Sequence, residues 1–169
     1  MKFVVKKGAS AKLKCGCLIA GVYEGKSKKG VVAEIDDALG GVLRQAVRSG
    51  EFKGSAGQLL QVSPATGIGA QRLIFVGLGQ ESKANGEVLR KAVGSALQKA
   101  KDARSSDIAL VFDSFDLNRA PVAERAQILA EGVLLGDYSF DRYQTDEEIK
   151  KATTPQSATI LLGSTKDEA

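Results

Sequence analysis

The stretch Arg72-Leu-Ile-Phe-Val-Gly-Leu-Gly79 decides the fold. Its apolar run predicts a buried strand, and the Gly-x-Gly at its end predicts a sharp exit from the sheet. Six residues further on, Asn85 can cap a helix that runs to about Arg104. Leu89, Val93, Ala96 or Leu97, and Ala100 fall on one stripe of that helix. Asp107-Ile-Ala-Leu-Val-Phe112 then reads as the next strand, so the segment is a strand-helix-strand unit with a right-handed, parallel crossover.

Working outward, Cys15-Gly-Cys-Leu-Ile-Ala-Gly-Val-Tyr23 is apolar almost throughout, as expected of a central strand covered on both faces. Phe3 to Lys6 is a short strand. Ile35, Leu39, Val42 or Leu43, and Ala46 or Val47 recur at helical spacing towards a stop at Gly50, and Gly40-Gly41 should bend or weaken that helix. Gly57 to Ser63 and Arg72 to Val76, joined by a short turn containing Pro64, Gly67 and Gly69, suggest an antiparallel pair. Pro121 suits the first turn of a helix whose buried face is Val122, Ala126, Leu129 and Val133 and whose end is marked by Gly136. A polar stretch from Thr145 to Gln156, a last strand Ala158–Leu162 and a polar end from Lys166 to Ala169 complete the chain. The expected architecture is α/β: three layers, α/β/α, around a mixed, mostly parallel sheet. Residues 1–169 read as a single domain with no internal repeat.

Composition narrows the chemistry. The 169 residues are 43% hydrophobic and 26% charged, an ordinary globular balance, and no apolar run approaches the roughly 20 residues that span a bilayer. No signal-peptide pattern opens the chain, so the expected compartment is the cytoplasm, with no membrane partner. Histidine is absent, which removes Ser-His-Asp and Cys-His catalysis and every histidine metal site. Cys15 and Cys17 lie too close for an unstrained disulfide and read as buried thiols; a zinc site would need more ligands than the sequence offers.

Three motifs compete with plainer structural roles. Gly77-Leu-Gly79 lacks the third glycine of a dinucleotide fingerprint, since Ser82 stands there and the helix starts late; a tight turn is the better reading. Asp113 and Asp116 follow a predicted parallel strand, where α/β proteins place ligands, but turn formation accounts for them more simply than a cation site. The net charge of +4 hides an asymmetry: residues 1–30 hold eight lysines and one acid, Glu24. Lys26, Lys28 and Lys29 are the candidate DNA-binding residues, weighed against an ordinary solvated surface.

The segment Ala130-Glu-Gly-Val-Leu-Leu-Gly-Asp-Tyr-Ser-Phe-Asp-Arg-Tyr143 gathers Tyr138, Phe140 and Tyr143 at a helix end. These aromatics either close the core or form an interface with another domain or subunit. Together with Gln71–Gly79, the Leu89-Arg90-Lys91-Ala92 helix, and the region from Ile35 to Phe52 leading into Gly57-Gln-Leu-Leu-Gln, this segment resembles the N-terminal domain of the leucyl aminopeptidase family. The resemblance implies a macro-domain-like fold. It also implies a C-terminal catalytic domain in the same protein, assembly as a homo-hexamer, and DNA binding in some bacterial members. In that catalytic domain two divalent metals, manganese or zinc among them, activate water to release N-terminal amino acids, leucine preferentially. The Asn-Thr-Asp-Ala-Glu-Gly-Arg type of motif that holds those metals is absent, so no catalytic, cofactor-binding or metal residue carries over. The implied role of the domain itself is non-catalytic, in assembly or regulation. Leu39-Gly-Gly-Val-Leu43 faintly resembles the phosphate loop of ADP-ribose-binding macro domains, the basis of an alternative role as a macro-like binding module.

Overall fold

A computed structural model describes residues 1–63, 65–141 and 154–163. Among the described residues ten strands and α-helices follow one another: β1 (Lys2–Lys7), β2 (Cys17–Tyr23), α1 (Gly30–Ala38), α2 (Val42–Ser49), β3 (Leu59–Val62), β4 (Arg72–Gly79), α3 (Gly86–Asp102), β5 (Asp107–Val111), α4 (Val122–Asp141) and β6 (Ser157–Leu162). The strands form one sheet in the order β1-β6-β5-β2-β4-β3, parallel except for the antiparallel β3–β4 pair. The mixed three-layer architecture expected from the sequence is the one observed.

The period of two along β2 explains the layers. All seven of its residues are buried, and alternate side chains serve opposite faces. Cys17, Ile19 and Tyr23 pack with α3 and α4, including Leu89, Val93, Leu97, Leu129 and Val133. Leu18, Ala20 and Val22 pack with α1 and α2 through Val32, Ile35, Leu43 and Ala46. Such two-sided burial is what a mostly parallel sheet requires.

Local chemistry sets the element ends. Asn85 caps α3 by accepting from the Val88 amide at 3.0 Å, as its position suggests. The run from Ile35 to Val47 forms two helices rather than one bent helix, because Gly40 and Gly41 both adopt left-handed backbone. Gly41, the residue before α2, has no side chain with which to cap it. The fully buried Asp36 does so from α1, accepting from the Leu43 amide at 2.7 Å and the Arg44 amide at 3.1 Å.

Gly136 does not end α4, which continues to Asp141. The glycine serves helix packing instead: a Cβ there would lie 2.8 Å from the Gly94 Cα of α3. Arg90–Glu131 at 2.7 Å and the buried Lys101 with Asp137 add ion pairs across the same seam. Pro121 stands just before the helix, its carbonyl accepting from the Arg125 amide at 3.0 Å. Tyr138 is 73% exposed, which removes it from the core. The Phe140 side chain, Arg142, Tyr143, the polar segment 145–153, Pro64 and the end from Lys166 to Ala169 lie outside the described residues.

Candidate functional site

The sheet opens where β2 and β5 part. Their pairing stops at Ile19 and Leu110, whereas β2 continues alongside β4 as far as Tyr23. Beyond the last pair, the Gly21 amide turns to the Ser114 hydroxyl at 2.9 Å, and that hydroxyl donates to the Val111 carbonyl at 2.6 Å. Gly21 suits this fork because a Cβ would sit 2.7 Å from Leu78 Cδ1 and 3.0 Å from the Phe115 ring.

The turn after β5 forms the other wall. A 3-10 turn over Phe112–Ser114 places Asp113 and Asp116 at the mouth. The Gly163 amide, at the end of β6, donates to Asp113 Oδ2 at 2.9 Å. Arg125 of α4 secures the turn by donating to the carbonyls of Phe112 and Phe115, at 3.2 and 3.3 Å, with its guanidinium 4.3 Å above the Phe112 ring. Asp116 lies 3.9 Å from Arg125, and its carbonyl accepts from the Tyr23 hydroxyl. Burial, reinforced by the nearby Asp116 charge, pushes the Tyr23 phenol up to about 12, so it stays a donor at neutral pH.

Between these walls lies a cavity of about 230 Å³, lined by Gly21–Tyr23, Lys26, Lys29–Val32, Glu81, Asp113, Ser114 and Asp116. The chain leaves β2 towards α1 on one face of the sheet and leaves β5 towards α4 on the other. The cavity therefore occupies a topological switch point at the carboxyl ends of the strands, where open α/β sheets bind ligands. The placement of Asp113 and Asp116 just beyond the carboxyl end of a parallel strand was legible in the sequence. Tyr23, Ser114 and the amino end of α1 were not, and the one available signal was a glycine inside an otherwise continuous strand.

The other candidate residues fall elsewhere or play structural parts. Lys26, Lys28 and Lys29 are exposed on the loop before α1, with Lys26 3.4 Å from Glu81. Gly77 permits backbone contact rather than phosphate approach: its amide donates to the Gln58 carbonyl at 2.7 Å, and a Cβ would collide with the Ser55 carbonyl. The Leu39–Leu43 turn does not line the cavity, and the amides that follow it are taken by Asp36. Cys15 and Cys17 are free; Cys17 is buried as expected whereas Cys15, just before β2, is only half-buried, and desolvation raises both thiols to about 12. Among the described residues no three histidine, cysteine, aspartate or glutamate side chains are grouped to hold a metal, so these residues do not fit a two-metal centre. No described helix is long and apolar enough to cross a membrane.

Comparison with known proteins decides the affiliation. The model of the cytosol aminopeptidase family, N-terminal domain, matches residues 19–147. The chain belongs to the cytosol aminopeptidase family. A probable cytosol aminopeptidase of Pseudomonas syringae pv. syringae is 30% identical over 147 residues, covering 87% of this chain and 30% of the relative. The cytosol aminopeptidase of Pseudomonas aeruginosa is 28% identical, covering all of this chain and 36% of the relative. The chain thus spans about a third of the length of these curated family members. Among solved structures, a tomato leucine aminopeptidase variant superposes with a TM-score of 0.73 at 22% identity, over 95% of this chain and 32% of that one. The macro domain of ganglioside induced differentiation associated protein 2 gives 0.69 at 16% identity, over 98% and 79% of the two chains. At these identities the structural likeness speaks for the fold, which is macro-domain-like.

Proposed function

We propose that this domain is the non-catalytic partner of a C-terminal catalytic domain in a two-metal aminopeptidase that releases N-terminal amino acids, leucine preferentially. The observation that carries the reading is the extent of the match. Residues 19–147 correspond to the family's N-terminal domain, while the chain spans about a third of family members. The manganese or zinc ions, and the residues that hold them, belong to the catalytic domain on this reading. The role of the present domain is assembly, within a cytoplasmic homo-hexamer, or regulation.

The outer end of α4 supports an assembly role. Leu134, Leu135 and Tyr138 are all more than half exposed on that helix, the aromatic-plus-aliphatic chemistry that interface centres favour. The purified 169-residue chain is expected to show no hydrolysis of a leucine anilide in the presence of manganese. Robust, manganese-dependent turnover would overturn the reading.

A second reading, DNA binding, draws on the exposed Lys26, Lys28 and Lys29 on one loop. It predicts duplex binding that weakens steeply with salt. Charge reversal at all three positions without any effect on DNA affinity would end it. A macro-like ADP-ribose site has the fold in its favour, but the Asp36 cap on the glycine turn argues against phosphate binding there.

A further inference from the structure

The cavity at the β2–β5 fork contains groups of both charges, and they are not equivalent. Lys26 and Glu81 are 3.4 Å apart and largely answer one another. Lys29 forms no ion pair among the described residues and sits at the start of α1, a nine-residue helix whose first amides have no side-chain cap. One wall is thus an anion-favouring surface, where unsatisfied N–H groups, the helix dipole and an ammonium coincide. Asp113 and Asp116 stand on the other wall, both exposed; one Asp113 oxygen accepts from the Gly163 amide, and Asp116 lies 3.9 Å from Arg125. Val22 and Val32 supply apolar lining between them.

At about 230 Å³ the space is below the roughly 300–1,000 Å³ typical of drug-sized ligands, so it favours something much smaller than a dinucleotide. Two nearby carboxylates also disfavour a phosphate dianion, whereas they complement an ammonium. The required ligand is small, carries one positive and one negative group, and offers an apolar body.

We propose that this cavity binds a free neutral α-amino acid. Its carboxylate lies at the amino end of α1 beside Lys29, its ammonium faces Asp113 and Asp116, and its side chain rests on Val22 and Val32. The zwitterionic character of the ligand follows from the cavity. The choice of an amino acid rests on the aminopeptidase reading, for which such molecules are products, and gives the non-catalytic domain a means of sensing product.

The test is an amide-resolved NMR titration of the intact 169-residue chain with leucine, in parallel with N-acetyl-leucine, leucinamide, inorganic phosphate and ADP-ribose. Small ligands of this size reach a Kd on the order of millimolar, so the series extends to about 30 mM. Leucine is expected to give saturable shifts at Gly30, Val31 and Ser114, and each singly blocked analogue should bind at least about tenfold more weakly. Lys29→Glu and the pair Asp113→Asn with Asp116→Asn should each weaken leucine several-fold while the remaining spectrum keeps its dispersion. Binding of N-acetyl-leucine or phosphate as tight as leucine would overturn the proposal in favour of an anion site. Tighter binding of ADP-ribose would replace it with a nucleotide site, and absence of any saturable shift with leucine would refute it. Because the titration reads binding alone, its failure leaves the aminopeptidase reading intact, and turnover by the isolated chain would refute that reading without touching the titration.

Discussion

Replacing Asp36 should destabilise this domain more than any nearby surface contact would suggest. The residue is fully buried, yet its carboxylate reaches the amides of Leu43 at 2.7 Å and Arg44 at 3.1 Å, in the first turn of a helix whose own capping position is glycine. Asp36→Ala removes an N-cap, a loss of about 0.5–2 kcal/mol, and strands the amide of the buried Leu43, which costs about 1–3 kcal/mol more. The two effects overlap, so the expected loss is roughly 2–4 kcal/mol. For a chain of this length each kcal/mol lowers Tm by about 2–4 °C, which places the melting point of the variant roughly 6–12 °C lower for a mid-range loss. Asp36→Asn keeps one acceptor oxygen and should lose about half as much. The Arg44 side chain also lies 3.4 Å from Asp36, but that guanidinium is about a third exposed, so Arg44→Met should cost far less than Asp36→Ala. Urea unfolding followed by circular dichroism at one pH and salt concentration measures all three. Asp36→Ala within about 0.5 kcal/mol of the parent chain would refute the capping role. An Arg44→Met loss equal to that of Asp36→Ala would show that the ion pair, not the cap, is what matters.

Other outcomes follow from close packing and from buried protons. Gly136→Ala should destabilise by about 1–2 kcal/mol despite its better helix propensity, because the added Cβ meets Gly94 Cα at 2.8 Å; Gly94→Ala, with its nearest contact at 3.6 Å, should be neutral or stabilising, and thermal melts of the two variants separate these cases. Gly77→Ala should give largely insoluble protein, since its Cβ would collide with the Ser55 carbonyl; a soluble variant with an unchanged melting curve would contradict the packing. Burial raises Cys15 and Cys17 from 9.0, and Tyr23 from 10.0, to about 12. The unfolded chain therefore loses these protons first, so stability is full below pH ~9 and declines as pH rises towards 12. Cys17→Ala should flatten that decline, as read by urea midpoints across the range.

Much of the fold was legible because the strands announce themselves in two ways. Cys17–Tyr23 and the run from Leu73 to Gly79 are apolar almost throughout, and only a sheet covered on both sides uses such strands. Asn85 and Gly50 mark ends by local chemistry that tertiary contacts do not override. The discrepancy at Gly136 has the opposite cause: the partner that makes glycine necessary is Gly94, 42 residues earlier, and local sequence cannot report that meeting. The same reason hid the cavity. Asp113 and Asp116 could be placed at a strand end from the chain itself, but Lys29 and Ser114 join them only through the crossing of two connections over opposite faces. The sequence resemblance located the family through the segment around Tyr138, whose exposure then removed it from the core.

The lysine-rich beginning of the chain acquires a different meaning from the position of β1. Among the described residues that strand is the outermost of the sheet on its side, with β6 as its neighbour, and it exposes Phe3 and Val5. An open apolar edge of this kind is a template for adding a strand from a neighbouring molecule. Lys2, Lys6 and Lys7 lie along it, so two copies approaching edge to edge would bring ammonium against ammonium. Lysines placed along such an edge would guard it against aggregation. Removing their charge is expected to cost solubility before it costs stability.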